Sequence, residues 1–237
     1  VFVERLAVVE ANNEIRVLLS REKAEIDRIL AELSGEAGSF ASAVISSYTM
    51  AVQLNLIFAK ANLGYKMKAT IPLMNDEGII DLKKARHPLI SKDAVVPTNI
   101  ELGTRFDTLV ITGPNTGGKT VSLKTIGLMC LMAMCGLMLP VADESRVSVF
   151  DTVLADIGDE QSIEQSLSTF SAHMTNIIGI VGKADEKSLV LLDELGAGTD
   201  PVEGAALATA LLEALRLQGC RIAATTHYAE LKAYALQ

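Results

Sequence analysis

Gly113-Pro114-Asn115-Thr116-Gly117-Gly118-Lys119-Thr120 is a glycine-framed octapeptide that closes on Lys-Thr, and its flanks decide how it reads. Before it stands Thr108-Leu-Val-Ile-Thr112, a short apolar and β-branched run with the character of a buried strand. After it, Lys119 to about Met134 is predicted as a helix. Strand, loop and helix in that order are the setting that the pattern G-x-x-x-x-G-K-[ST] needs to cradle phosphate. The glycines let successive N–H groups and the helix N-terminus converge on phosphate oxygens that most side chains would obstruct. All eight residues are therefore assigned to a nucleotide. Within them Lys119 is placed to neutralise the β- and γ-phosphates, and the Thr120 hydroxyl to ligate Mg²⁺, which makes Mg-ATP the implied ligand.

Two further strands carry polar ends. Ser188-Leu-Val-Leu-Leu192 runs into Asp193-Glu194, and carboxylates at the carboxyl end of a parallel strand face the crevice where ligands of open α/β sheets sit. Asp193 is suited to hold the metal, and Glu194 to polarise an attacking water. Leu195-Gly-Ala-Gly-Thr-Asp200 follows as a loop, Pro201 opens a helix through Leu217, and Arg221-Ile-Ala-Ala-Thr-Thr226 is the next strand. His227 at its end reads as a sensor of the γ-phosphate or the attacking water, though taken alone a strand-end histidine is equally a surface residue. In Leu167-Ser-Thr-Phe-Ser-Ala-His173, Ser168 and Thr169 are N-cap residues by type, and a serine there is also a phosphate-binding device. His173 reads as either a contact of the signature helix or, preferably, a core histidine, and Gln161 as a candidate contact for the water at the nucleotide.

The remainder sets limits. A chain of 237 residues, 49% hydrophobic and without repeats, folds around a sizeable core, and its net charge of -8 is unlike that of a free-standing nucleic-acid binder. Cys130, Cys135 and Cys220 show no metal spacing and read as reduced core residues of a cytoplasmic protein. Ile126 to Leu139 is very apolar but too short for a bilayer, so no membrane association is expected and a helix buried on all sides is predicted. Val1 to Val9 reads as a strand. From Asn12 a heptad-like seam of Ile15, Leu19, Glu22, Ile26, Ile29 and Leu33 suggests a lever or coiled-coil arm, or equally an ordinary amphipathic surface helix, broken near Ser34 to Gly38. A second helix, Phe40 to Asn62, is expected to pack antiparallel to it. Strands are expected over Val95 to Leu102 and Val147 to Ile157, with the boundary near Lys84 between a helical segment, 1–84, and an ATPase domain, 85–237. Both ends fall in apparent helix, as in a piece of something longer.

Taken together, Gly113 to Thr120, Leu167 to His173, Asp193 to Asp200 and Thr225-Thr-His-Tyr228 resemble the ATPase domain of the MutS family. Thr116 in the phosphate loop, Ile157-Gly-Asp-Glu-Gln-Ser-Ile163 and Ala85-Arg-His-Pro-Leu89 resemble its second branch, MutS-type-two, more than the mismatch-repair branch. The resemblance implies an α/β P-loop NTPase, ABC-like, with an N-terminal helical lever. It implies a homodimer in which two domains face head to tail, Ser168 and Thr169 approaching the γ-phosphate bound by the partner and Asp200 lying at the interface. Closure would drive levers that clamp branched DNA or stalled ribosomes, with suppression of recombination and ribosome rescue as the implied roles. Nuclease action would belong to an Smr domain absent here, and Ser168-Thr-Phe-Ser-Ala-His173 lacks the glycine pair of transporter signatures. Two other classes remain at this point: a nucleotide-gated interaction module with negligible hydrolysis, and a P-loop phosphotransferase.

Overall fold

A computed structural model of the chain describes residues 5–114, 117–158, 166–228 and 230–231, apart from the side chains of 166–170 and 172. It divides into two compact units, Val1–Phe58 and Ala59–Gln237. Position 84, where composition put the boundary, lies instead inside a strand of the second unit.

The first unit is helical. Helix α1 spans Leu6–Ser39 and α2 spans Ala41–Met67, its last turns belonging to the second unit. The strand expected over Val1 to Val9 is helix from Leu6 onward, and 1–4 lie outside the described residues. Alternating valines suit a strand only where a neighbour offers a ladder, and Leu6-Ala-Val-Val-Glu-Ala is followed by a long helix-forming run instead. Gly35 and Gly38 do not break α1, since an isolated glycine costs only about 1 kcal/mol against alanine within a helix. The interruption is Phe40 alone, whose N–H still reaches Ala37 O at 3.2 Å and whose carbonyl accepts from Val44 N–H at 3.0 Å. The first half of α2 thus follows α1 after one residue and does not fold back on it. No residue of α1 is buried, and the seam residues Leu19 and Leu33 are both 58% exposed. Among the described residues α2 is the one helix long and apolar enough to cross a membrane by length and composition, and it too is exposed.

The second unit is built on two sheets. Strands β1 (Leu73–Asn75), β2 (Ile80–Ala85), β3 (Thr98–Leu102) and β5 (Arg146–Ser148) form a mixed sheet in the order β1-β5-β2-β3. Strands β4 (Thr108–Thr112), β6 (Thr152–Asp156), β7 (Ser188–Leu192) and β8 (Arg221–Thr226) form a parallel sheet in the order β4-β8-β7-β6. The β-branched stretch expected from Val147 to Ile157 is two strands in different sheets, and the one from Val95 starts only at Thr98. Helices α3 (Lys119–Met134), α4 (Ser166–Val181) and α5 (Pro201–Leu217) pack on the parallel sheet.

Burial on both faces explains why β7 reads as an unbroken apolar run. Leu189 and Leu191 join the cluster around Leu123, Ile126 and Met129 of α3, while Val190 and Leu192 join that of Ile177, Ile180 and Leu212 on α4 and α5. Gly127 marks how closely α3 sits on the sheet: a Cβ there would lie 2.5 Å from Leu191 Cδ1. Helix α3 is not buried all round, because Val121, Leu131 and Met134 are exposed. Cys130 and Cys220 are buried as expected, but Cys135 just beyond α3 is exposed.

Candidate active site

The parallel sheet brings the carboxyl ends of β4, β7 and β8 together, and every strand-end residue singled out above stands there. Strand β4 delivers Gly113, whose φ is 147°, and α3 starts after Gly118, whose φ of 74° is the left-handed backbone that glycine adopts without strain. Among the described residues a Cβ on either glycine would meet nothing within 4 Å. Asn115 and Thr116 lie outside the described residues. Lys119 is 4% exposed, and its Nζ donates to Gly113 O across the loop at 2.8 Å.

Asp193 and Glu194 are adjacent but serve different partners. Asp193 is buried, with its N–H on Asp156 O at 2.9 Å. Its Oδ1 accepts from the Thr120 hydroxyl at 3.1 Å and the Thr225 hydroxyl at 2.5 Å. A hydroxyl and a carboxylate meeting at the head of α3 are the hard oxygen donors that Mg²⁺ takes alongside phosphate, so the residues fit that ion. Glu194 turns away. Its φ is 49°, a left-handed conformation that costs a non-glycine residue roughly 1–2 kcal/mol. Its N–H is held by Thr225 Oγ1 at 2.8 Å, and its Oε1 accepts from His227 Nε2 at 3.1 Å. One threonine hydroxyl thereby sets the positions of both carboxylates.

A cavity of about 90 Å³ opens beside this pair, lined among others by Asp156, Gly158, His173, Asp193 and Glu194. His173 is not a core histidine: its side chain is 36% exposed, and Nδ1 donates to Oδ2 of buried Asp156 at 2.8 Å. Asn176 donates to the other oxygen, Oδ1, at 2.8 Å, so α4 is tied to the end of β6 through both oxygens of one carboxylate. Helix α4 is described from Ser166, and Ser168 and Thr169 lie in it. Their side chains, like Gln161, lie outside the described residues. Asp200 is the N-cap of α5, accepting from Val202 N–H at 2.9 Å and Glu203 N–H at 3.4 Å, with Pro201 at the first helical position.

Two participants were missed in the sequence, Thr225 and Asp156. Asp156 ends an apolar strand as Asp193 does, and the same strand-end argument applied to β6 would have found it. Thr225 offered no such signal, since a threonine inside a β-branched strand is ordinary.

A parallel sheet with a glycine-rich loop entering a helix after one strand, and paired carboxylates closing another, defines a P-loop nucleotide hydrolase. Residues 109–237 match the family model for MutS domain V, and the chain belongs to that family, whose domain V is a P-loop, ABC-like ATPase. Over 236 residues it is 58% identical to the endonuclease MutS2 of Clostridium perfringens strain SM101 and to that of Clostridium botulinum strain Loch Maree. It is 57% identical to the endonuclease MutS2 of Caldanaerobacter subterraneus subsp. tengcongensis. Each alignment covers 100% of this chain and 30% of the relative, so the chain spans just under a third of their length.

Proposed function

We propose that ATP hydrolysis by this chain uses Glu194 as the general base and Asp193 with Thr120 as the metal pair. The observation that carries this reading is the divergence of two adjacent carboxylates, Asp193 onto Thr120 and Glu194 onto His227. A carboxylate committed to a cation is a poor base, and the neighbouring one is free for that task. The residues from Gly113 to Thr120, Asn115 and Thr116 among them, would bind the phosphates in this reading. Lys119 exchanges its bond to Gly113 O for phosphate oxygens. Glu194 takes the proton of a water in the adjacent cavity, and His227 Nε2 keeps its carboxylate aimed. Bound Mg²⁺ would supply charge neutralisation between phosphate oxygens. Family membership favours water over another acceptor, which sets the phosphotransferase reading aside.

The site is completed, in this proposal, by a second copy facing it head to tail. Ser168 and Thr169 lie near the start of the described part of α4, and Asp200 carries the loop after Glu194 into α5. Closure would move the helical arm of α1 and α2. In the longer protein that motion would act on branched DNA or a stalled ribosome, with recombination suppression or ribosome rescue as the outcome and a cytoplasmic setting. The endonuclease action that gives the relatives their name would lie outside the ATPase domain.

Phosphate release per chain, measured against chain concentration with Mg²⁺ and saturating ATP, tests this. It should rise with concentration, vanish in Lys119→Ala, and return in part when Lys119→Ala is mixed with Ser168→Ala. Constant turnover from a chain of monomer mass would refute the shared site. Equal, near-zero release from the native chain and both variants would refute hydrolysis and leave a nucleotide-gated module.

A further inference from the structure

A second cavity, of about 450 Å³, lies at the end of α2 and the segment joining β2 to β3, lined among others by Lys66, Lys68, Arg86, His87 and Lys92. Among the described residues no acidic side chain lines it. We propose that it is a second phosphate-binding site, distinct from the loop Gly113–Thr120, which takes the phosphate groups of a nucleic-acid backbone or of a free polyphosphate.

Four permanent cations, Lys66, Lys68, Arg86 and Lys92, converge in a chain whose net charge is -8. The simplest structural demand there is the C-terminus of α2, equivalent to about half a negative charge. Arg86 already meets it, donating from Nη2 to Met67 O at 3.3 Å and Lys68 O at 3.0 Å. Among the described residues, Nε and Nη1 of Arg86 have no protein acceptor, and the ammonium groups of Lys66, Lys68 and Lys92 have no carboxylate within ion-pairing distance. The charge is therefore in excess of what the fold uses.

Two local features make the cavity a site rather than a stretch of basic surface. Lys68 stands at the left-handed position that ends α2, with φ of 50°, where glycine or asparagine is the usual occupant. His87 accepts the Leu89 N–H on Nδ1 at 3.3 Å, so its neutral ring carries the proton on Nε2, ready to donate. Burial, and after it the charge of Lys124, hold His87 below the ordinary imidazole range, and an entering anion would offset the second of these. A volume of about 450 Å³ holds a phosphate-bearing group, and mixed lining by Pro88, Ile90 and Val95 is usual for such pockets.

The test uses charge reversal at two exposed positions, Lys66→Glu with Lys92→Glu, and Lys66→Gln with Lys92→Gln as a milder pair should the first fail to fold. Binding of a fluorescein-labelled 20-base-pair DNA duplex is followed by anisotropy at several salt concentrations, and of inorganic tripolyphosphate by calorimetry in a Lys119→Ala background. Lys183→Glu with Lys187→Glu controls for net charge. The pocket reversal should weaken the duplex at least about tenfold and lower the slope of log affinity against log salt by about two, more than the control does. If tripolyphosphate is lost and the duplex never bound, the phosphate source is a small polyphosphate and the site stands. Affinities unchanged in the pocket variants, or lowered equally by the control, would overturn it.

Discussion

Replacing Thr225 by valine removes one hydroxyl from a position that is fully buried and changes the side-chain volume little. Two bonds go with it, the donation to Asp193 Oδ1 at 2.5 Å and the acceptance of Glu194 N–H at 2.8 Å. A hydrogen bond to a charged group contributes about 1.5–3 kcal/mol, and a buried N–H left without an acceptor costs about 1–3 kcal/mol. Asp193 keeps its bond from Thr120, which softens the first loss. A total near 3 kcal/mol is therefore expected, and in a chain of this size it lowers Tm by roughly 10 °C. Activity should fall as well, because Thr225 positions both carboxylates without touching substrate. Loss of such a supporting residue typically lowers activity about 10–100-fold. The assays are thermal unfolding by circular dichroism and steady-state phosphate release below Tm. Thr225→Ser keeps the hydroxyl and should recover most of kcat, which a packing defect would not allow. A valine variant with Tm within about 2 °C of native and unchanged kcat would refute the account of how Asp193 and Glu194 are held.

Further outcomes follow from the packing and titration of other groups. Burial pushes Cys130 up to about 12 and Cys220 up to about 11, while Cys135 is exposed, so a disulfide reagent at pH 8 should release one thiol equivalent quickly and three after denaturation. Rapid reaction of two or more in the native chain would contradict the burial. Gly127→Ala already places its Cβ 2.5 Å from buried Leu191 Cδ1 and should lower Tm, its gain of about 1 kcal/mol in helix propensity offsetting only part of an overpacking cost of about 1–3 kcal/mol, and Gly127→Val should lower it further. Asp200→Ala should cost about 1 kcal/mol through loss of the α5 cap, with Asp200→Asn largely neutral, as differential scanning calorimetry would show. His87, held low in the folded chain, resists a proton that the unfolded chain accepts, so its contribution is present above the ordinary imidazole pKa and lost as pH falls below it. The drop in Tm between pH 7.5 and 5.5 should accordingly be smaller in His87→Gln.

Where local pattern and tertiary burial agree, the sequence was enough. Thr108–Thr112, Ser188–Leu192 and Arg221–Thr226 are strands over the expected residues because each is apolar on both faces and ends in a polar or glycine residue. Pro201 and Asp200 bound α5 for equally local reasons. The phosphate loop, the two carboxylates and His227 were legible because strand ends in a parallel sheet converge whatever the intervening chain does. What escaped depends on long-range partners. Thr225 acquires its role only when β8 lies beside β7, 31 residues from the N–H it accepts. His173 looked like core because Met174 and Ile177 flank it, yet it turns to Asp156 on another element. The break expected near Ser34 to Gly38 falls at Phe40, just beyond the second glycine, because an isolated glycine costs too little to end a helix that its neighbours favour.

The central claim is that Glu194 takes the proton from the attacking water, and single-turnover hydrolysis by Glu194→Gln with excess chain over ATP tests it most directly. ATP affinity should stay near native, since the amide keeps the shape and leaves Lys119, Thr120 and Asp193 untouched. The hydrolysis rate should fall at least about 100-fold, the usual contribution of a general base. A glutamine variant that binds ATP normally and hydrolyses it at the native rate would show that the proton goes elsewhere.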